Sequence, residues 1–174
     1  MKLKLMILGY ARHGKDTVAE ILRDNLGLKF ASSSFAAAEK VMRPFLAAKG
    51  ITYNSLEECY ADRVNHRQDW YEQIKAYNNP DGARLAREIY KDNDIYVGMR
   101  SEVELEAVRK EGLYDYSIWV DRSKYVAPES SASCSITPVM ANWVIDNNGT
   151  LEQLKVNTLA LYWDLVSLEY AGKL

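Results

Sequence analysis

The chain is short of cysteine, of charge bias and of long apolar runs, and each shortage excludes something. Its two cysteines, Cys59 and Cys134, lie far apart and outside any C-x-x-C spacing. Neither a zinc cluster nor a disulfide framework is expected from them, and both read as buried, idle thiols. The formal net charge is -2, with both signs spread along the chain. No basic field favours non-specific binding to nucleic acid, which is therefore not an expected partner. No segment approaches the ~20 apolar residues of a membrane span. The apolar run in "MKLKLMILGY" is too short for a secretion signal and leads into a glycine turn. The expectation is a cytoplasmic protein with no membrane partner. Repeats and low-complexity blocks are also lacking.

What is present is ordinary globular material. The 174 residues are 48% hydrophobic and 26% charged, which suits one domain with a real core. "LKLMILG" reads as a buried parallel strand. After a glycine-rich turn, Val18, Ile21, Leu22 and Leu26 recur at helical spacing, and Gly27 is placed to cap that helix. "LKFASS" reads as a second strand. Residues 35–48 look helical, with Pro44 expected to end or kink the helix. Residues 55–78 also read as helix, and "PDGARLAREIYKDN" as another. "DIYVGM" is the next strand. "SEVELEAVRKEG" follows as a helix, with Ser101 and Glu104 in capping-box spacing. "YDYSIWVD" and "NWVIDNNGT" are further strands, and Thr150 is placed to cap a last helix to about Tyr170. Alternating strands and helices predict a parallel sheet with helices on both faces. Residues 122–138, rich in serine and holding Pro128 and Pro138, form the one long polar stretch. A stretch of that length in a small domain is usually a functional loop or lid.

The chemistry concentrates in "GYARHGKDT", residues 9–17. Phosphate binding needs backbone N–H groups aimed at one spot, and glycines permit both the tight turn and the close approach. The helix that follows offers its positive end, and a lysine reaches the β- and γ-phosphates. Gly9, Gly14 and Lys15 stand at the G-x-x-x-x-G-K spacing, with Ala11, Arg12 and His13 contributing backbone between them. Asp16 stands where the usual motif has a hydroxyl residue for Mg²⁺, and Thr17 follows one place later. An aspartate there can ligate magnesium or one of its waters; it can also simply complement the helix dipole. For His13, the backbone is expected to matter more than the ring.

Further candidates lie at strand ends. Arg100 and Arg122 each follow a predicted parallel strand, where such sheets bind ligands, and arginine's planar fork suits phosphate oxygens. In "DRVNHRQDWYEQIKAYN", Arg63 and Arg67 lie four apart and can share a helical face, with Trp70 three beyond. Such a group can grip a phosphate and stack a base; for Trp70 and Tyr71, core packing is the stronger reading. Arg84 and Arg87 read more simply as a solvated face.

"GYARHGKDTVAEIL", "YVGMRSEVELEAVR" and "WVIDNNGTLEQL" together resemble the phage-type deoxynucleoside monophosphate kinases, P-loop kinases related to dephospho-coenzyme A kinase. The resemblance spans most of the chain in order, is sharp in these three blocks and is loose over residues 35–92. It implies one P-loop kinase domain: about five parallel strands flanked by helices, an acceptor-binding helical insertion at about 35–92 and a lid at about 122–138. It implies transfer of the ATP γ-phosphoryl group to a nucleoside 5′-monophosphate. By that resemblance, Lys15 and the loop amides would hold ATP, and Asp16 and Thr17 would sit by Mg²⁺. Arg100 would contact the acceptor phosphate, Arg122 and Lys124 would come from the lid, and Asn147, Asn148 and Gly149 would border the adenine. A phage-encoded chain would work in the host cytoplasm. Three departures stand out. Ser32-Ser33-Ser34 occupies the region where dephospho-coenzyme A kinases carry an aspartate, the lid is poorer in arginine, and no acidic residue ends "DIYVGM". A kinase of another acceptor (dephospho-coenzyme A or a hydroxymethylated base in DNA) and a nucleotide-binding protein without catalysis remain alternatives. A homodimer also stays open.

Overall fold

The structure, a computed structural model, describes residues 2–172. Five parallel strands form one sheet: β1 (Leu5–Leu8), β2 (Phe30–Ser32), β3 (Ile95–Val97), β4 (Tyr116–Asp121) and β5 (Trp143–Asp146). Their order is β2-β3-β1-β4-β5, so β1 is central, with Leu5 opposite Ile95 on one side and Tyr116 on the other. The α/β class with five parallel strands between helices matches the sequence expectation.

A parallel sheet must be covered on both faces, and strand alternation supplies two apolar faces here. Leu5, Ile7, Ile95, Val97, Ile118 and Val120 form one core with Val18 and Leu22 of α1 (Lys15–Leu26) and Leu154 and Leu165 of α8 (Leu151–Ala171). Met6, Leu8, Tyr96 and Trp119 form the other. They meet Leu85 and Ile89 of α6 (Arg84–Asp92) and Leu105 and Val108 of α7 (Glu102–Lys110). At the edge strand β5 only Ile145 is buried, while Trp143 and Val144 are exposed. The ends of these helices follow the sequence signals. Gly27 caps α1 at φ 67°, Ser101 caps α7, and Thr150 with Gln153 closes a full capping box on α8.

The segment between β2 and β3 builds a third core and departs from expectation twice. Instead of one helix over 35–48, α2 (Ser33–Ala37) passes through a π turn (Ala38–Met42) into α3 (Arg43–Ala48). The wide turn places Pro44 in the first turn of α3, where its missing N–H costs little. Residues 55–78 are likewise broken. The chain runs through α4 (Leu56–Ala61) and a 3₁₀ turn (Asp62–Asn65) into α5 (Arg67–Tyr77). His66 makes the corner at φ -125°, ψ 31°. Its Nε2 is bonded to Asp62 at 3.1 Å, and its Nδ1 lies 3.7 Å from Asp69. Arg63 and Arg67 therefore do not share one helical face. Trp70 is buried here with Met42, Leu46 and Cys59, as expected, whereas Tyr71 is exposed. Both cysteines are free and buried. Among the described residues no helix is long and apolar enough to cross a membrane.

Candidate functional site

Parallel strands aim their carboxyl ends at one rim, where open α/β sheets bind ligands. The rim carries the glycine loop after β1, Ser33 after β2, Arg100 after β3, Arg122 after β4 and Asn147 after β5. The loop is shaped by positive backbone angles: Gly9 at φ 147°, Arg12 at 62° and Gly14 at 94°. A Cβ on Gly9 would stand 2.9 Å from the Val120 carbonyl oxygen, and one on Gly14 would stand 2.4 Å from Asn147 Nδ2. Gly14 is the N-cap of α1, and no side chain caps that end. Helical geometry leaves the first-turn amides without intrahelical partners, so the loop and helix end form an open cradle of N–H groups with the dipole's positive end behind it. Lys15 bends back to donate to the Tyr10 carbonyl at 2.8 Å. Burial, and then the nearby Arg100 charge, push its pKa below the usual lysine value. Asp16 is exposed on the first helical turn and Thr17 is half-buried.

The cradle is braced from below. His13 is fully buried. Its Nδ1 accepts the Arg122 amide at 3.0 Å, which leaves Nε2 to donate to the Val126 carbonyl at 3.1 Å. The backbone was expected to matter more than the ring; the ring also staples residues 122–126 to the loop. Asn147, also buried, donates from Nδ2 to the His13 carbonyl at 2.9 Å. Arg122 donates from its guanidinium to the Asn147 carbonyl at 3.1 Å. Asn148 accepts the Lys124 amide at 3.0 Å and donates to Asp121 and Asp146. A side chain at Gly149 would collide with the Gln153 carboxamide, 2.1 Å away, which closes the α8 cap.

Residues 122–138 hold neither strand nor α-helix and end in a 3₁₀ turn (Pro138–Met140). They lie on the site rather than away from it. Within them, the Glu129 carboxylate accepts the Ala11 amide at 2.6 Å through one oxygen and Arg100 at 2.7 Å through the other. These two bonds outweigh burial and hold its pKa below the usual carboxylate range. Beyond it, Ser135 donates its amide to the Arg100 carbonyl at 2.9 Å, and Cys134 and Ile136 are buried in the core beside Trp119.

On the far side of Arg100 opens a cavity of about 690 Å³, within the size range of small-ligand sites. Arg63, Arg67, Trp70 and Tyr71 form its helical wall, Arg100 and Ser101 its rim, Ser131, Ala132, Ser133 and Ser135 a third side, and Tyr96 and Glu104 are among its other lining residues. Arg63 is placed by stacking its guanidinium 4.0 Å from the Tyr60 ring centre and donating to the Tyr60 carbonyl at 3.0 Å.

The structure thus brings Arg63, Arg67, Trp70 and Arg100 to one cavity, although two of them come from elements that a single helix was expected to join. Gly9 to Thr17 and Asn147 to Gly149 gather at the loop. Lys124 sits with this second group, beside Asn148, and is not among the residues lining the cavity. Arg84 stacks on Tyr77 and Arg87 pairs with Asp81 and Glu111, the solvated face expected of them. Two residues escaped sequence reasoning. Glu129 carries no motif, and its only signal is an acid inside a serine-rich stretch. Glu104 was assigned to a capping box, but its carboxyl is bonded to Asn78 beside the cavity instead. Among the described residues no three His, Cys, Asp or Glu side chains converge as a metal cluster.

No protein-family model and no curated protein matches the chain. Solved structures do resemble it. TT1252 from Thermus thermophilus has a TM-score of 0.52 at 18% identity, over 94% of this chain and 98% of that one. An unliganded sugar kinase from Janibacter sp. has a TM-score of 0.48 at 16% identity, covering 95% and 96%. A shikimate kinase from Bacteroides thetaiotaomicron has a TM-score of 0.49 at 9% identity, covering 95% and 99%. At such identities the likeness to the Thermus protein is one of fold, over nearly the whole of both chains.

Proposed function

We propose that the protein transfers the γ-phosphoryl group of ATP to a nucleoside 5′-monophosphate, a deoxynucleotide by resemblance, giving ADP and the diphosphate. The observation that carries this reading is the position of Glu129. One carboxylate bridges a loop amide and Arg100, so donor cradle and cavity arginine converge on a single anion-sized space. A phosphoryl group passing from donor to acceptor needs such a space.

In this reading the loop amides and Lys15 hold the donor β- and γ-phosphates. Asn147, Asn148 and Gly149 border the adenine, with Arg122 and Lys124 on the same side. The open amides of an uncapped helix end and the cradle that a Cβ on Gly14 would fill fit a polyphosphate. Mg²⁺ is bound through one or two carboxylates together with substrate phosphates and water. Asp16 and Thr17 supply oxygen atoms at the right turn for that share. The ion, when bound, would neutralise charge between the β- and γ-phosphate oxygens. Arg100 orients the acceptor phosphate, and Arg63, Arg67 and Trp70 hold the rest of the nucleotide. One acceptor phosphate oxygen then bonds to the γ-phosphorus as the bond to the ADP oxygen breaks. Such transfer depends on positioning and charge rather than on a general base. Residues 122–138 act as the lid that excludes water.

An ADP-release assay across nucleoside monophosphates, with Mg²⁺ and folded protein, tests the proposal. Turnover with at least one is expected; none with any would overturn it. The same assay with dephospho-coenzyme A and hydroxymethylated DNA covers the other acceptors, and ATP binding without transfer would indicate a nucleotide sensor.

A further inference from the structure

Residues 127–133 form an arc that is tied down at three points. At its near end the Val126 carbonyl accepts from His13 Nε2. At its far end Cys134 and Ile136 are buried beside Trp119. Between these anchors every residue except Glu129 is exposed, and the Glu129 side chain keeps only 21% of its surface in solvent. Its carboxylate spans the rim from one side to the other, accepting the Ala11 amide at 2.6 Å and Arg100 Nη1 at 2.7 Å. The Lys15 ammonium also acts on it through space. A glycine-loop amide, the loop lysine and an arginine are the donors that a terminal phosphate takes in such a site. The other hydrogen bonds of the arc, from Ser133 and Cys134 back to Ser130, are local. One carboxylate therefore holds the middle of the arc on the site. Just beyond it, Ser131, Ala132 and Ser133 wall the cavity on the Arg100 side.

We infer that Glu129 is a resident stand-in for the γ-phosphoryl group, and that it lets the site tell a nucleoside triphosphate from the diphosphate: ATP must expel it and ADP need not. The inference rests on the donor-loop reading given above. A lysine at this place in the loop reaches the β- and γ-phosphates, so the space it shares with Ala11 and Arg100 is the γ end of the site. A γ-phosphate has the same sign of charge as Glu129 and needs the same donors, and two anions cannot share them without a large cost. ADP ends at its β-phosphate and leaves the span from Ala11 to Arg100 to Glu129. Binding of ATP therefore frees the arc at its middle, while the anchors at Val126 and Cys134 keep it over the site as a lid. The same step turns Arg100 over to the acceptor phosphate. After transfer the γ-phosphoryl group leaves with the acceptor, and Glu129 returns to its two donors. No covalent bond to Glu129 forms at any stage.

Hydrogen exchange on the wild type alone gives the first arm of the test, with Mg²⁺ and saturating ADP or the non-transferable β,γ-imido analogue of ATP. The amides of residues 127–134 should exchange faster with the triphosphate analogue than with ADP or with no nucleotide. The second arm compares the wild type with Glu129→Gln by calorimetry. The carboxamide keeps the shape of the side chain but has one acceptor oxygen and no charge. The variant should bind ATP several-fold more tightly, because a latched population no longer dilutes the competent one, while ADP affinity stays within about twofold. The circular dichroism spectrum should not change; if the variant fails to fold, the exchange arm decides alone. Equal exchange with the two nucleotides overturns the inference, as do ATP and ADP affinities that move together in the variant. If the triphosphate alone frees the arc but no acceptor is phosphorylated, the phosphoryl-transfer proposal fails and this one stands. If neither nucleotide binds, both fall.

Discussion

The loop after β1 and the cavity beyond Arg100 meet at the same rim but are made differently. The loop is nine consecutive residues whose working groups are backbone N–H donors, and its side chains mostly brace it. The cavity is assembled from side chains on several separate segments, with little backbone chemistry. A backbone site tolerates changes in neighbouring side chains but not in its own glycines. A side-chain site can be altered one residue at a time. The two halves of the proposed phosphoryl transfer are therefore expected to be separable by mutation, with Glu129 bonded to both.

That separation can be broken or sharpened in four ways. The largest effect should come from Lys15→Ala, which removes the one ammonium in the loop. Turnover should fall by roughly a thousandfold, the scale of losing one transition-state charge contact, with an unchanged circular dichroism spectrum. Near-normal ADP release would show that the loop is not the donor site. Next, Arg100→Ala should raise the acceptor KM by about 10–100-fold while ATP affinity stays within about twofold, the range for a charge-assisted contact on one ligand. Collapse of ATP binding instead would erase the distinction between the halves. Glu129→Gln comes third. Removing a tethered anion from the Ala11 amide and Arg100 should tighten ATP binding several-fold in calorimetry, by relief of competition at the same donors. Weaker binding would mean that Glu129 helps to hold the donor.

The smallest effect concerns stability. Glu104 has a folded-state pKa raised by burial, so the folded chain binds a proton more readily there than the unfolded chain. Stability from this group is gained as pH falls through that raised pKa and is lacking above it. Glu104→Gln should therefore raise Tm slightly at neutral pH, by removing the penalty of holding a buried carboxylate ionised. A lowered Tm in a scanning calorimeter would make Glu104 a structural residue.

The same contrast governs what the sequence disclosed. The loop was legible because its chemistry is contiguous: glycine spacing, a lysine and an amphipathic helix all fall within Gly9–Leu26. The strands and the two-faced core followed from short apolar runs, and Arg100 and Arg122 from their places just past those runs, whereas the strand order came only with the structure. The cavity was only partly legible. Helical periodicity joined Arg63 to Arg67, but the corner at His66 is set by Asp62 and Asp69, which compete locally with the helical ladder. The π turn before Pro44 follows from the proline's needs, though no residue pattern announces it. Glu129 and Glu104 were hidden for different reasons. The first depends on contacts with Ala11 and Arg100, far off in the chain. The second sits in a pattern that has a commoner local explanation.

Asn147 carries a consequence for how the molecule is made. Its side chain supports the His13 carbonyl from a position 134 residues later in the chain, and Gly14 leaves no room for anything but that amide beneath it. Synthesis runs from the amino terminus, so the loop leaves the ribosome 134 residues before its brace does. A nascent chain can form β1 and α1 early, but its phosphate cradle is completed only when β5 joins the sheet. Ligand capture at the proposed phosphate loop would thereby wait until β5 has been made. Transplanting residues 9–17 into another protein would carry the motif without its support.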